Sequence, residues 1–230
     1  MTIRTKRARS PRGSGDLLAE EIIAAATALI LRESDPSAIS IRSVAAKVGV
    51  SPPAIYLHFA DKNELLDAVC ARYFERLDDA LAPAEECSED ALESFLVAGK
   101  AYVNFALTSP VLYRMAFSNV GNNGTWSRVD RVLASSAFVR FNRMVQKLAG
   151  EGYFVGDEAA LAQLTMELWT TVHGVAHLMV SKPGLPWGDD ADFVENVLRA
   201  GCIGFAASAS VGTRASMPEI RAWLERSRSQ

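Results

Sequence analysis

Apolar positions recur at helical spacing along almost the whole chain, without the period-two alternation that marks a half-buried strand. The expected fold class is therefore all-α. Ile41, Val44, Ala45 and Val48 form one short stripe, preceded by Ser40, a side chain suited to capping the exposed N–H groups of a helix start. Gly49 closes that stripe, because glycine tolerates the left-handed backbone of a sharp exit. The next helix begins with Ser51 as N-cap and Pro52 at the first helical position, where proline's missing N–H costs nothing. Ala54, Ile55 and Phe59 turn inward there, leaving Pro53, Tyr56, Leu57 and His58 outward. A third helix opens at Asp61 with Glu64 three residues on, the spacing of a reciprocal capping box. Two short helices joined by a glycine turn make the layout of a helix-turn-helix that reads DNA.

Downstream, the breaks fall at recognisable places. Helices are expected over residues 61–81, ending before Pro83, and over 90–107, with Leu92, Phe95, Leu96, Gly99, Tyr102, Val103 and Ala106 on one stripe. A short helix follows from Ser109 and Pro110 to Phe117, then an Asn/Gly-rich loop over 119–124. Helices over 127–149, 157–180 and 189–208 are separated by Gly150 with Gly152 and by Lys182-Pro183-Gly184, and a last amphipathic helix begins at Pro218. The expected division is a basic arm over 1–15, a helix-turn-helix domain over 16–62, a larger helical domain over 63–215 and a C-terminal helix or tail over 216–230. A chain of 230 residues with 49% hydrophobic content can bury the sizeable core this requires.

Net charge of −3 looks wrong for a nucleic-acid binder until it is split by position. Residues 1–62 hold nine Lys or Arg against six Asp or Glu, whereas residues 63–230 hold fifteen against twenty-one. The basic end is the one with the helix-turn-helix. Arg4, Lys6, Arg7, Arg9 and Arg12 lie in the N-terminal arm without an acid among them, an arm that either tracks DNA phosphates or serves as a solubilising tail. Asp78, Asp79, Glu85, Glu86, Glu89, Asp90 and Glu93 meet no basic residue in sequence and are expected to form a solvated face that repels DNA.

The residues Val44, Ala45, Gly49, Val50, Ser51, Tyr56, Phe59, Lys62, Leu65 and Leu66 resemble the N-terminal signature of the TetR-type transcriptional regulators. The likeness reaches back through the helix over 16–33, about a quarter of the chain. It implies that positions matching Tyr56 and His58 contact the DNA backbone and that Lys62 binds a phosphate. Pro52, Pro53 and Ala54 would approach the bases, with Arg42 as a further charged candidate and Ser40 and Ser51 at the two helix starts. Pro52-Pro53 and Ala54 bring few hydrogen-bond donors, so apolar contact with thymine methyls, Arg42 and DNA shape are the expected sources of specificity.

Residues 168–178, which hold Trp169, His173 and Gly174, resemble a C-terminal class of the same family named for its Trp-His-Gly segment. That likeness implies a ligand-responsive domain that dimerises through its last long helices. Small residues Gly174, Ala176, Gly201, Gly204, Ala206 and Ala207 would permit close helix packing in a two-fold bundle. A cavity for a small hydrophobic effector is expected from Tyr102, Phe105, Met115, Phe117, Phe138, Phe141, Met144, Trp169 and His173, although such residues also build ordinary cores. His173 and His177 face one side of a helix, but no third ligand accompanies them, so no metal or other cofactor is expected. Cys70, Cys87 and Cys202 are widely spaced, suggesting neither a disulfide framework nor a zinc site. No apolar run is long enough to span a bilayer.

These features point to a cytoplasmic homodimeric repressor, released from a near-palindromic double-stranded DNA operator by its effector. No phosphate loop, nucleophile elbow or paired carboxylates argue for an enzyme. The alternative is an all-α small-molecule binder whose helix-turn-helix is degenerate.

Overall fold

The computed structural model describes residues 15–118, 131–133, 136–212 and 215–227, and every regular element among them is helical. The basic arm, the loop expected over 119–124 and the start of the helix expected from Ser127 lie outside the described residues. Contacts divide the chain into two compact units, residues 1–78 with 108–137 and residues 79–107 with 138–230. The boundary expected between the two helical domains falls after residue 62. The grouping by contacts is discontinuous because a helix from mid-chain packs against the first one.

The first unit contains α1 (Gly15–Glu33), a 3-10 turn (Pro36–Ala38), α2 (Ile41–Val48), α3 (Pro52–Tyr56), most of α4 (Lys62–Glu85) and α6 (Pro110–Ser118). Ile22, Ala26, Leu29 and Ile30 follow helical spacing down one side of α1 and are buried, which is why α1 packs against both α2 and α6. Leu65, Val69 and Phe74 continue that core along α4. Phe117 of α6 meets Phe74 edge-on at 5.1 Å, an arrangement that places a positive ring edge on a negative ring face, and lies tilted against Tyr113 at 4.8 Å. Arg72 of α4 reaches the Glu20 carboxylate of α1 on the surface.

The second unit contains the end of α4, α5 (Ala91–Thr108), α7 (Ala137–Gly150), α8 (Glu158–Ser181), α9 (Asp190–Val211) and α10 (Met217–Ser227). Three of its helix starts obey the capping rule: Asp90, Asp157 and Asp189 accept N–H groups of the first turns of α5, α8 and α9. Close packing depends on missing side chains at two points. A Cβ on Gly99 would stand 2.8 Å from Leu198 Cδ1, and one on Gly201 3.3 Å from Thr171 Cγ2. The rings of Phe95 and Phe141 meet at a tilt, 5.0 Å apart, between α5 and α7. The buried Thr165 hydroxyl lies 2.9 Å from Asn142 Oδ1 and 2.8 Å from the Leu161 carbonyl, so its burial leaves no polar atom unsatisfied.

Two expectations need correction. The sequence places the end of α4 before Pro83, yet the helix runs on to Glu85 with the proline inside it. A proline this close to the end removes one intrahelical bond. The turn persists because the Glu85 carboxylate is ion-paired with Arg140 and, at 3.4 Å, with Arg143 of α7. Within the acidic stretch Asp79, Glu86, Glu89, Asp90 and Glu93 are exposed, as a solvated face requires, but Glu85 is largely covered by its ion pairs. Cys70 and Cys202 are buried, and burial pushes their thiols up to about 12 and about 11, as inert packing residues require.

Gly49 leaves α2 at φ +82°, and its missing Cβ would meet no atom within 4 Å. Gly49→Ala therefore clashes with nothing and carries only the conformational penalty. Unfolding free energy should fall by about 1 kcal/mol, measured as a lower denaturant midpoint at unchanged slope.

Candidate nucleic-acid interface and effector cluster

The helix-turn-helix is held by its caps. Ser40 Oγ accepts the Ser43 N–H at 3.1 Å and Ser43 Oγ accepts the Ser40 N–H at 2.9 Å, a reciprocal box built from two serines. Gly49 and Val50 both donate to the Ala45 carbonyl, closing α2. Ser51 takes the N-cap position of α3, but its side chain makes no capping bond. The reason lies in the next two residues: prolines at 52 and 53 offer no N–H, and the first available donor, Ala54, already bonds the Ser51 carbonyl at 2.9 Å.

Within α3 the sides are sharply divided. Ile55 is 0% exposed and Phe59 is buried, whereas Tyr56 is 53% and Leu57 84% exposed. The Tyr56 ring therefore faces outward and is not packed beneath the motif. Pro53 is exposed, Pro52, Ala54 and His58 are half-buried, and Arg42 is exposed in the first turn of α2. At α4 the capping box is displaced by one residue: Asp61 Oδ1 accepts the Glu64 N–H, while the Glu64 carboxylate reaches back to the N–H of Ala60.

Lys62 has a partner that the sequence does not reveal. Its ammonium donates to the Ser37 carbonyl at 3.0 Å. Asp35 accepts the Ser37 backbone N–H and hydroxyl, and these bonds, with Lys62 nearby, hold the Asp35 carboxyl below its ordinary value. One ammonium proton thus ties α4 to the 3-10 turn, leaving two donors available to a phosphate. Lys47 and Leu57 are further exposed residues of α2 and the α3 exit that the sequence reading leaves off the interface.

Among the expected effector residues, the structure brings Tyr102, Phe138, Trp169 and His173 into one ring cluster of the second unit. The Tyr102 hydroxyl lies 2.9 Å from His173 Nδ1. Trp169 stacks on His173 at 5.0 Å and meets Phe138 edge-on at 6.4 Å. Burial, and then the neighbouring His177, lower the His173 pKa to about 4, so this imidazole is neutral at physiological pH. Phe141 and Met144 are buried in α7, with Phe141 on Phe95, and Phe105 is half-buried. Met115 and Phe117 belong to the first unit. Two open grooves that the sequence reading does not anticipate, of about 570 and 390 Å³, lie on two sides of the C-terminal half of α9. Phe154 lines both, with Phe205 in one and Ile203 and Trp223 in the other.

Comparison with known proteins agrees with this organisation. Residues 22–69, from within α1 through the first third of α4, match the model of the bacterial regulatory proteins of the tetR family. Residues 95–200 match the tetracyclin repressor-like C-terminal domain. The chain belongs to the TetR family. It is 24% identical to the uncharacterized HTH-type transcriptional regulator YobS of Bacillus subtilis strain 168 over 72% of this chain and 81% of that protein. A solved structure of a protein of unknown function from Rhodococcus sp. RHA1 superposes with a TM-score of 0.67 at 27% identity, covering 87% of this chain and 99% of that one. RolR in complex with resorcinol superposes with a TM-score of 0.62 at 19% identity, covering 85% and 96%, a likeness of fold alone.

Family membership makes this TetR-family chain a ligand-responsive, DNA-binding transcriptional regulator and sets the enzymatic reading aside. Among the described residues no single helix is long and apolar enough to cross a membrane.

His173 gives the second unit a measurable acid sensitivity. Its folded pKa is depressed, so the unfolded chain binds the proton first. The associated stability is present above the ordinary histidine value of 6.5 and drains as pH falls toward about 4. Urea unfolding across that window should show a weaker pH dependence in His173→Gln than in the unsubstituted protein; equal dependence would mean that other groups carry it.

Proposed function

We propose that this chain is a homodimeric repressor, released from a near-palindromic operator by a small hydrophobic effector and acting in the cytoplasm. The observation that carries the DNA half is α3: Ile55 and Phe59 fasten it inward while Tyr56 is turned to solvent, inside the region that matches the family's DNA-binding domain. In this reading Ser40, Arg42, Ser51, Pro52, Pro53, Ala54, Tyr56, His58 and Lys62 meet the duplex, and two copies of α3 enter major grooves about 34 Å apart.

The second copy would pack on α8 and α9. From Gly201 to Val211 α9 carries no charged side chain, and Ile203 is 69% exposed, an apolar face of the kind that partners cover. Gly174 and Gly204 have no atom within 4 Å of where a Cβ would stand, leaving room for another helix, whereas Gly201 is already used against Thr171. The effector would be recognised in the second unit, where Tyr102 and His173 offer a polar pair beside the Trp169 and Phe138 rings. RolR, similar in fold, is seen with resorcinol, a compact aromatic hydroxyl compound of the chemistry such a cluster suits. The effector must bind the two states of the dimer unequally, and α4, which supplies residues to both units, is one of the covalent routes between them.

The test is fluorescence anisotropy with labelled DNA from upstream of the protein's own gene against scrambled DNA, over a salt series. Tighter binding to the upstream DNA at every salt is expected; absence of binding even at low salt would leave the small-molecule binder as the better account. In the same assay Lys62→Ala should weaken binding to both DNAs and reduce the slope of log K against log salt by about 0.9, one phosphate's worth of released counterion. An unchanged slope would confine Lys62 to its bond with Ser37.

A further inference from the structure

We infer that Leu57 reads thymine methyl groups in the major groove and is a specificity-determining residue of the interface. The inference rests on the DNA-binding reading above and deepens it. Leu57 is the C-cap of α3 with φ −73° and ψ −18°, so it continues the right-handed helix by one residue. At 100° per residue it points about 200° away from Ile55, and their exposures, 84% against 0%, follow that geometry. Pro53 lies one helical turn earlier on the same side. Together Pro53, Ala54 and Leu57 make an outward face with methyl and methylene groups and no side-chain hydrogen-bond donor.

The chemistry around that face narrows what it recognises. From Val48 to Ala60 there is no Lys, Arg, Asp or Glu, so the charged side chains that pair with guanine or cytosine edges are missing from the recognition element. Positive charge stands instead on α2, where Arg42 and Lys47 are exposed and suit the phosphates on either side of a groove. Exposed cations on α2 beside an uncharged, apolar α3 complement a duplex whose phosphates are anionic and whose most apolar major-groove group is the thymine 5-methyl. A lone exposed leucine would mean little, but this one is contiguous with Pro53 and with the exposed Tyr56.

The experiment first enriches duplexes from a random-sequence library with the full-length protein. Each thymine of the enriched half-site is then replaced by deoxyuridine, which removes the methyl and leaves base pairing intact. At one or two positions deoxyuridine should weaken binding by the unsubstituted protein about fourfold, the worth of one buried methyl. At one of those positions at least, Leu57→Ala should bind thymine and deoxyuridine duplexes equally, while Leu57→Met should retain the difference; a methyl touched by Pro53 or Ala54 keeps its penalty in both variants. Because the side chain is exposed, both variants should keep the helical circular dichroism and melting temperature of the parent. Indifference of the unsubstituted protein to deoxyuridine at every position would overturn the inference, as would penalties that survive in Leu57→Ala at every sensitive position. Failure of the library to enrich any sequence is a different result, which removes the DNA-binding reading itself.

Discussion

The interface depends on the burial of two side chains, Ile55 and Phe59. A helix the length of α3, Pro52–Tyr56, is far too short to persist in water by its own hydrogen bonds. Its N-terminal prolines remove N–H groups, and Ser51 makes no side-chain cap in exchange. What holds the segment helical is the insertion of Ile55 and Phe59, one turn apart, into the core of the first unit. Everything that faces outward, from Pro53 to Leu57, inherits its direction from that pair. The face proposed to meet DNA is thus fixed in direction by the burial of its back.

The polar connections around it then set the frame. Ser40 with Ser43 fixes the start of α2, Gly49 its exit, and Asp61 with Glu64 the start of α4. Lys62 adds a bond from α4 to the turn that precedes α2, so a residue suited to phosphate also braces the motif. Arg72 with Glu20 joins α4 to α1 at the surface, where such a pair contributes little to stability; the alignment of those helices comes from the apolar core between them.

The second unit solves a different problem, keeping polar groups inside an apolar bundle. Thr165, Tyr102 and His173 each have a hydrogen-bond partner there, and His173 is held neutral by its surroundings. Polar groups in such a setting give a ligand direction as well as contact. The uncharged end of α9 is the face proposed above to pack on a second copy of the chain.

Local physics was enough to read the all-α class, the helix-turn-helix and most helix ends, because caps and breakers act within a turn of themselves: Ser40, Gly49, Asp90, Asp157 and Asp189 each do what their side chains or backbone favour. The inward Ile55 and Phe59 and the outward Pro53, Tyr56 and Leu57 were equally legible, since they follow from a 3.6-residue period, whereas Ala54, expected inward, and His58, expected outward, are both half-buried. Tertiary structure decided the rest. Pro83 did not end α4, because a distant arginine held the turn beyond it. The Lys62 ammonium turned to a carbonyl 25 residues earlier, and aromatic residues with identical patterning were distributed between two units. Sequence determines which bonds a residue can make with its neighbours along the chain; which distant group comes within reach is settled only when the whole chain has packed.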